Sequence, residues 1–158
     1  HGQVWRLLTA HWVHFSPSHL VWNVVVFGVA GGWLEYRKRP ALLWTLLAAS
    51  IAVSIAVFAL EPSLQLFAGL SGLASGVLIG LATWGLRKEP SKRWLWYCVV
   101  ALFAAKLALE LVSEHRIISR LTELEIHSVP IAHLVGAASG VLVVLAFFRK
   151  PNPSPDPS

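Results

Sequence analysis

The sequence predicts an all-α protein, a polytopic helical bundle that crosses a membrane. Three observations predict it. Hydrophobic residues make up 56% of the 158 residues and charged residues 13%, about half the charged share of a soluble domain. Five apolar stretches approach the roughly 20 residues that a spanning helix needs. The Lys and Arg residues cluster between those stretches. A soluble helical protein would show a polar stripe along each helix, and these runs have almost none. A single cysteine, Cys98, excludes an internal disulfide framework and any multi-cysteine metal site.

The predicted spans are residues 18–36, 41–60, 69–86, 94–112 and 130–149. Ahead of the first, residues 1–17 mix Trp5, Leu7, Leu8, Trp12, Val13 and Phe15 with polar groups, which suits a segment lying in the membrane interface. Pro40 marks a tight turn and can start the second helix. In 113–129, Ile117, Leu121 and Leu124 recur at helical spacing and predict a short interfacial helix. Residues 1–150 form one membrane domain, and the proline-rich tail 151–158 is expected to be disordered. The chain opens His1-Gly2-Gln3 without a methionine, which points to a fragment or a mature form of a longer protein.

Nine of the 13 Lys and Arg residues form three clusters, at 37–39, 87–93 and 149–150. Short loops rich in such residues stay on the cytoplasmic side. The first 17 residues and the loops 61–68 and 113–129 then face the other side. The net charge of +5 is thereby a topology signal, and no nucleic-acid partner is called for.

Polar side chains inside a membrane are costly, so they are candidate functional groups. His19 and Asn23, four apart and on one helix face, open the first span; Ser71 opens the third; His133 opens the fifth. All three openings lie on the non-cytoplasmic side. A serine needs a base to become a nucleophile, and histidine suits that task near neutral pH. Ser71 and His133 are therefore the candidate nucleophile and base. His19, Asn23 and the Ser71 amide are the candidate donors to a developing oxyanion. The sole aspartate, Asp156, lies in the tail, so a Ser–His–Asp triad is excluded and a Ser–His dyad remains. The small-residue rows Gly72/Gly76/Gly80 and Gly136/Gly140 predict close approach of the third and fifth helices. No cofactor is called for. His11 and His14 have HxxH spacing, but no carboxylate or cysteine joins them, so metal is not expected and His14 is assigned to holding the loop near the site. Glu35 is assigned an anchoring role and the eight tryptophans mostly a lipid-facing one.

These residues resemble the rhomboid family of intramembrane serine proteases. WRLLTAHWVH (Trp5 to His14) is similar to its Trp-Arg loop, HLVWN (His19 to Asn23) to its HxxxN, GLSG (Gly69 to Gly72) to its GxSG, and AHLVGAASG (Ala132 to Gly140) to its AHxxGxxxG. The resemblance implies a six-helix core of which the first helix is missing here, with Ser71 as nucleophile and His133 as base. Two departures stand out. Ser75 occupies the position where the family often has a tyrosine stacked on the catalytic histidine, so the orientation of His133 must come from elsewhere. Gln3 stands where an acidic residue often precedes the Trp-Arg pair. In the fourth span, Lys106 and Glu110 form an i,i+4 pair able to neutralise itself, a candidate structural ion pair. That Lys-x-x-x-Glu also resembles the rhombosortase branch, which implies a bacterial inner-membrane enzyme, with its site facing the periplasm, that processes C-terminal GlyGly-CTERM sorting tags. The partners implied are the lipid bilayer and a transmembrane substrate with a C-terminal helix. The alternatives are a general rhomboid protease, or an inactive rhomboid-like protein that binds membrane helices. A transporter with a histidine proton relay would need polar groups across the whole membrane depth, whereas here they gather near one side.

Overall fold

A computed structural model describes residues 3–14, 17–62, 69–117 and 129–148, with side chains left out for 113–117. The described residues are helical, with no strand among them. The elements are α1 (Arg6–Thr9), α2 (Pro17–Leu60), α3 (Ser71–Lys88), α4 (Arg93–Ile117) and α5 (Pro130–Phe147), with short 3-10 turns at Ala10–Trp12 and Pro90–Lys92.

The 44 residues of α2 hold the first two predicted spans. At 1.5 Å per residue one straight helix of that length would measure about 66 Å, twice the hydrocarbon thickness. It breaks at Lys38, where φ is −162° and ψ 82°. Pro40 explains the break: it lacks an N–H, its ring collides with the preceding turn, and it disfavours helical geometry just before it. The expected turn therefore lies two residues ahead of the proline, inside the Arg37–Arg39 cluster.

α2, α5 and the segment Pro90–Val112 are long and apolar enough to cross a membrane; α3 is not among them. The reason is position. Twelve of the 18 residues of α3 are buried, because α2 and α5 flank it. A helix shielded from lipid needs no oily exterior and can be built from Gly, Ser and Ala. α4 is the opposite case. Between residues 93 and 112 only Trp96 is buried, and the partly buried positions Leu95, Val99, Phe103, Leu107 and Glu110 form one narrow stripe toward the bundle. The interfacial helix expected over 113–129 begins as a continuation of α4 to Ile117; positions 118–128 lie outside the described residues, as does the tail 151–158.

The α3–α5 seam is the tightest contact. A Cβ placed on Gly76 would stand 2.7 Å from the Gly136 carbonyl oxygen, and one on Gly80 3.3 Å from that of Gly140. On the other side, a Cβ on Gly136 or Gly140 would collide outright with the Gly72 or Gly76 carbonyl. The two glycine rows thus touch backbone to backbone, an approach that favours dispersion contact between the helices.

The ends of the bundle differ. At one end Arg37 pairs with Glu89 at 3.1 Å and lies 4.8 Å over the Trp84 ring, and the Trp96 indole N–H donates to the other Glu89 oxygen at 3.2 Å. This joins two of the basic clusters on one side, as the charge pattern requires. Trp84 and Trp96 are buried there, two exceptions among tryptophans that are mostly exposed: Gly85 has no side chain, and the Trp96 ring occupies that space. Trp5, Trp12, Trp22, Trp44 and Trp94 are exposed, as a membrane belt would be. Glu35 pairs with Arg39 at 3.6 Å on the surface of the same end.

Candidate functional site

The opposite end gathers the polar groups. α1 and its following turn lie against α2 through His11, which is fully buried. Its Nε2 lies 3.1 Å from both the Ser50 carbonyl and Ser54 Oγ, and Ser54 Oγ donates to the Leu7 carbonyl at 2.9 Å. Burial holds the His11 pKa below its ordinary value, against the opposing pull of neighbouring backbone groups. His11 is thus a buried clamp between the loop and the second arm of α2. Among the described residues no three His, Cys, Asp or Glu side chains gather to hold a metal.

His14 joins the loop to the site. Its Nε2 accepts from the Leu70 amide at 3.4 Å and from Asn23 Nδ2 at 3.2 Å. Both partners donate, so the ring proton sits on Nδ1. His14 also meets His19 edge to face at 5.6 Å. The His19 ring in turn covers Gly69: a Cβ there would stand 3.1 Å from His19 Cε1, and Gly69 has φ +127°, a conformation few other residues accept. Gly69 N–H donates to the Ala10 carbonyl at 3.4 Å. The tight turn before Ser71 is thus fixed from the loop and from α2 together.

Ser71 is the first residue of α3 and is partly exposed. A Cβ on the next residue, Gly72, would stand 3.1 Å from the carbonyl oxygen of Ala132, the residue before His133. The first turns of α3 and α5 therefore abut, with a hydroxyl on one and an imidazole on the other. No hydrogen bond joins the Ser71 hydroxyl to His133 among the described residues. The site as expected from sequence is brought to one end: Ser71 and His133 on touching turns, His19 against Gly69, and Asn23 linked through His14 to Leu70.

One arrangement departs from expectation. Lys106 and Glu110 do pair, through Glu110 Oε1, but the pair is not closed on itself. Glu110 Oε2 lies 2.7 Å from His133 Nδ1, and Lys106 Nζ lies 3.3 Å from the same nitrogen. The ion pair is present and extends to a three-membered contact across α4 and α5, so the candidate base has a carboxylate beside it although the chain has no aspartate there. Ser75, in the position where a stacking tyrosine was missing, donates to the Ser71 carbonyl at 2.8 Å and stays within its own helix. Two sequence signals pointed to Glu110: it stands at heptad spacing after Trp96 and Phe103, on the stripe that faces the bundle, and it is an ionisable group deep in an apolar run.

The sequence model of the Rhomboid domain matches residues 1–150. The chain belongs to the rhomboid family. Rhomboid proteins are generally intramembrane serine proteases acting on transmembrane substrates within the bilayer, and the helices described above fit that multi-pass setting. No curated protein and no solved structure matches the chain.

Proposed function

We propose that this rhomboid protein is a serine endopeptidase that cuts transmembrane proteins just below the outer face of a bacterial inner membrane, on the periplasmic side. The observation that carries the reading is the abutment of the first turns of α3 and α5, which brings a partly exposed serine and a buried histidine onto touching turns. His133 Nε2 takes the proton of the Ser71 hydroxyl as Oγ bonds to the scissile carbonyl carbon. The oxyanion so formed meets the Ser71 amide, His19 and Asn23. The imidazolium then gives its proton to the leaving nitrogen as the C–N bond breaks; a water molecule, deprotonated by His133 Nε2, next bonds to the acyl carbon, and Ser71 Oγ leaves with that proton as the acyl–Oγ bond breaks. In the rhombosortase reading, supported by the Lys106–Glu110 pattern, the substrate is a C-terminal GlyGly-CTERM tag and an amine can replace that water.

The test is cleavage in liposomes of a GlyGly-tagged tail and of an ordinary transmembrane peptide, with Ser71→Ala as control. The protease reading expects cleavage that Ser71→Ala lowers about 10⁴-fold or more. Cleavage that survives Ser71→Ala overturns it. Cleavage of the tagged tail alone supports the sorting role, and equal cleavage of both peptides favours a general rhomboid protease. Failure of the folded wild type to react with a fluorophosphonate probe would favour the inactive helix-binding alternative.

A further inference from the structure

We propose that Glu110 is a positioning residue for His133, so that the site works as a serine–histidine–glutamate triad whose third member is delivered by α4. The proposal rests on the serine-protease reading above and adds a residue to it. His133 is 4% exposed, and its Nδ1 points at Glu110 Oε2 at 2.7 Å, a charge-assisted hydrogen-bond length. The other Glu110 oxygen is taken by Lys106. Each carboxylate oxygen therefore has its own donor.

This division fixes the protons. With the Lys106 ammonium on Oε1, Glu110 is held as a carboxylate, and a carboxylate can only accept. His133 Nδ1 must then carry the ring proton and donate it. The 3.3 Å between Lys106 Nζ and His133 Nδ1 is accordingly a contact of two donors gathered on one acceptor. The opposite tautomer would set a bare Nδ1 lone pair against a carboxylate oxygen at 2.7 Å, two acceptors in repulsion. With the proton on Nδ1, the Nε2 lone pair is free to take the proton of Ser71. Glu110 also fixes the ring plane, which Ser75 cannot do, and it offsets the positive charge that His133 gains during turnover.

Lys106 has a separate part. An ionised carboxylate alone at this depth would be costly and would tend to take up a proton. A neutral carboxyl could donate to Nδ1 and select the wrong tautomer. Lys106, with its side chain 52% exposed, keeps Glu110 charged without covering the histidine.

The experiment uses the full chain in liposomes with a transmembrane peptide that the wild type cleaves, comparing wild type, Glu110→Gln, Glu110→Asp and Ser71→Ala. The triad expects Glu110→Gln to lower kcat about 10² to 10⁴-fold, with KM changed less than about threefold and thermal stability in place. Fluorophosphonate labelling of Ser71 should slow in parallel. Glu110→Asp should recover part of the rate. Nitrogen-15 spectra of wild-type His133 should show Nδ1 protonated and Nε2 bare, a signature that a purely structural carboxylate would not require. Wild-type kcat in Glu110→Gln, or a ring proton on Nε2 in the wild type, overturns the proposal while leaving Ser71 and His133 in place. Full cleavage by Ser71→Ala would instead bring down the protease reading on which it rests.

Discussion

The two ends of this bundle each carry a carboxylate shared between two donors, and they use it differently. At the basic end Glu89 receives the Arg37 guanidinium and the Trp96 indole. Neither donor gives up its proton near neutral pH, so the knot can only hold. At the opposite end Glu110 receives the Lys106 ammonium and the His133 imidazole. Imidazole gains and loses a proton near neutral pH, so the same architecture can work. A partly buried carboxylate is thus informative through its partners. An arginine and a tryptophan fasten helices; a histidine beside an abutting serine is, in the proposed mechanism, the group that moves a proton.

Substitution can break this contrast. The largest effect is expected on turnover: His133→Ala should lower kcat about 10⁴-fold or more, whereas Glu89→Ala should leave kcat within about threefold. Parallel cleavage assays of the two folded variants check it, and a large catalytic loss in Glu89→Ala would erase the distinction between the ends. Next comes the seam that carries both ends. Gly136→Leu places a side chain where the Gly72 carbonyl stands, so α3 and α5 must separate. Overpacking of this kind costs about 1–3 kcal/mol or more, and both the melting temperature in detergent and the activity should fall. A smaller effect belongs to Glu89→Gln. It should lower stability by about 1–3 kcal/mol, read from denaturant or thermal melts, without slowing cleavage.

The smallest effect is a pH dependence at His11, which sharpens the contrast by adding a histidine that only fastens. Its pKa is lowered in the folded protein by burial, so folding favours the neutral ring. Above the unfolded value of 6.5 both states are neutral and the contribution is whole. As pH falls through that value the unfolded chain takes up a proton that the folded chain resists, and stability is lost. The melting temperature should therefore decline between about pH 7 and pH 5.5, and His11→Asn should flatten that slope.

Much of the candidate site was legible before any coordinates. Ser71, His133, His19 and Asn23 stand at the openings of three apolar runs, and the basic clusters put those openings on one side. Small residues at four-residue spacing announced that the third and fifth helices could touch, and the glycine rows do so. His11 and His14 were visible as loop histidines, but their partners Ser50, Ser54, Asn23 and Leu70 were not. The Lys106–Glu110 pair was legible from its i,i+4 spacing, but the contact of Glu110 with His133 was not, because Lys106 one turn away already accounts for its charge within the helix. Which tryptophans would be the buried exceptions was not legible, since nothing in the linear pattern reveals that Gly85 leaves room for the Trp96 ring.

By itself the sequence determined the helical class, the places of the apolar runs and the grouping of the chemistry-bearing side chains at the openings of three of them. Hydrophobic length, charge placement and helical spacing are local properties, and they act before any helix meets another. Only the tertiary structure decided the partners: which carboxylate lies beside His133, which ring fills the space at Gly85, and which helix is hidden from lipid. Those outcomes depend on the rotation and depth of each helix against its neighbours, and these are set by the fit of whole faces.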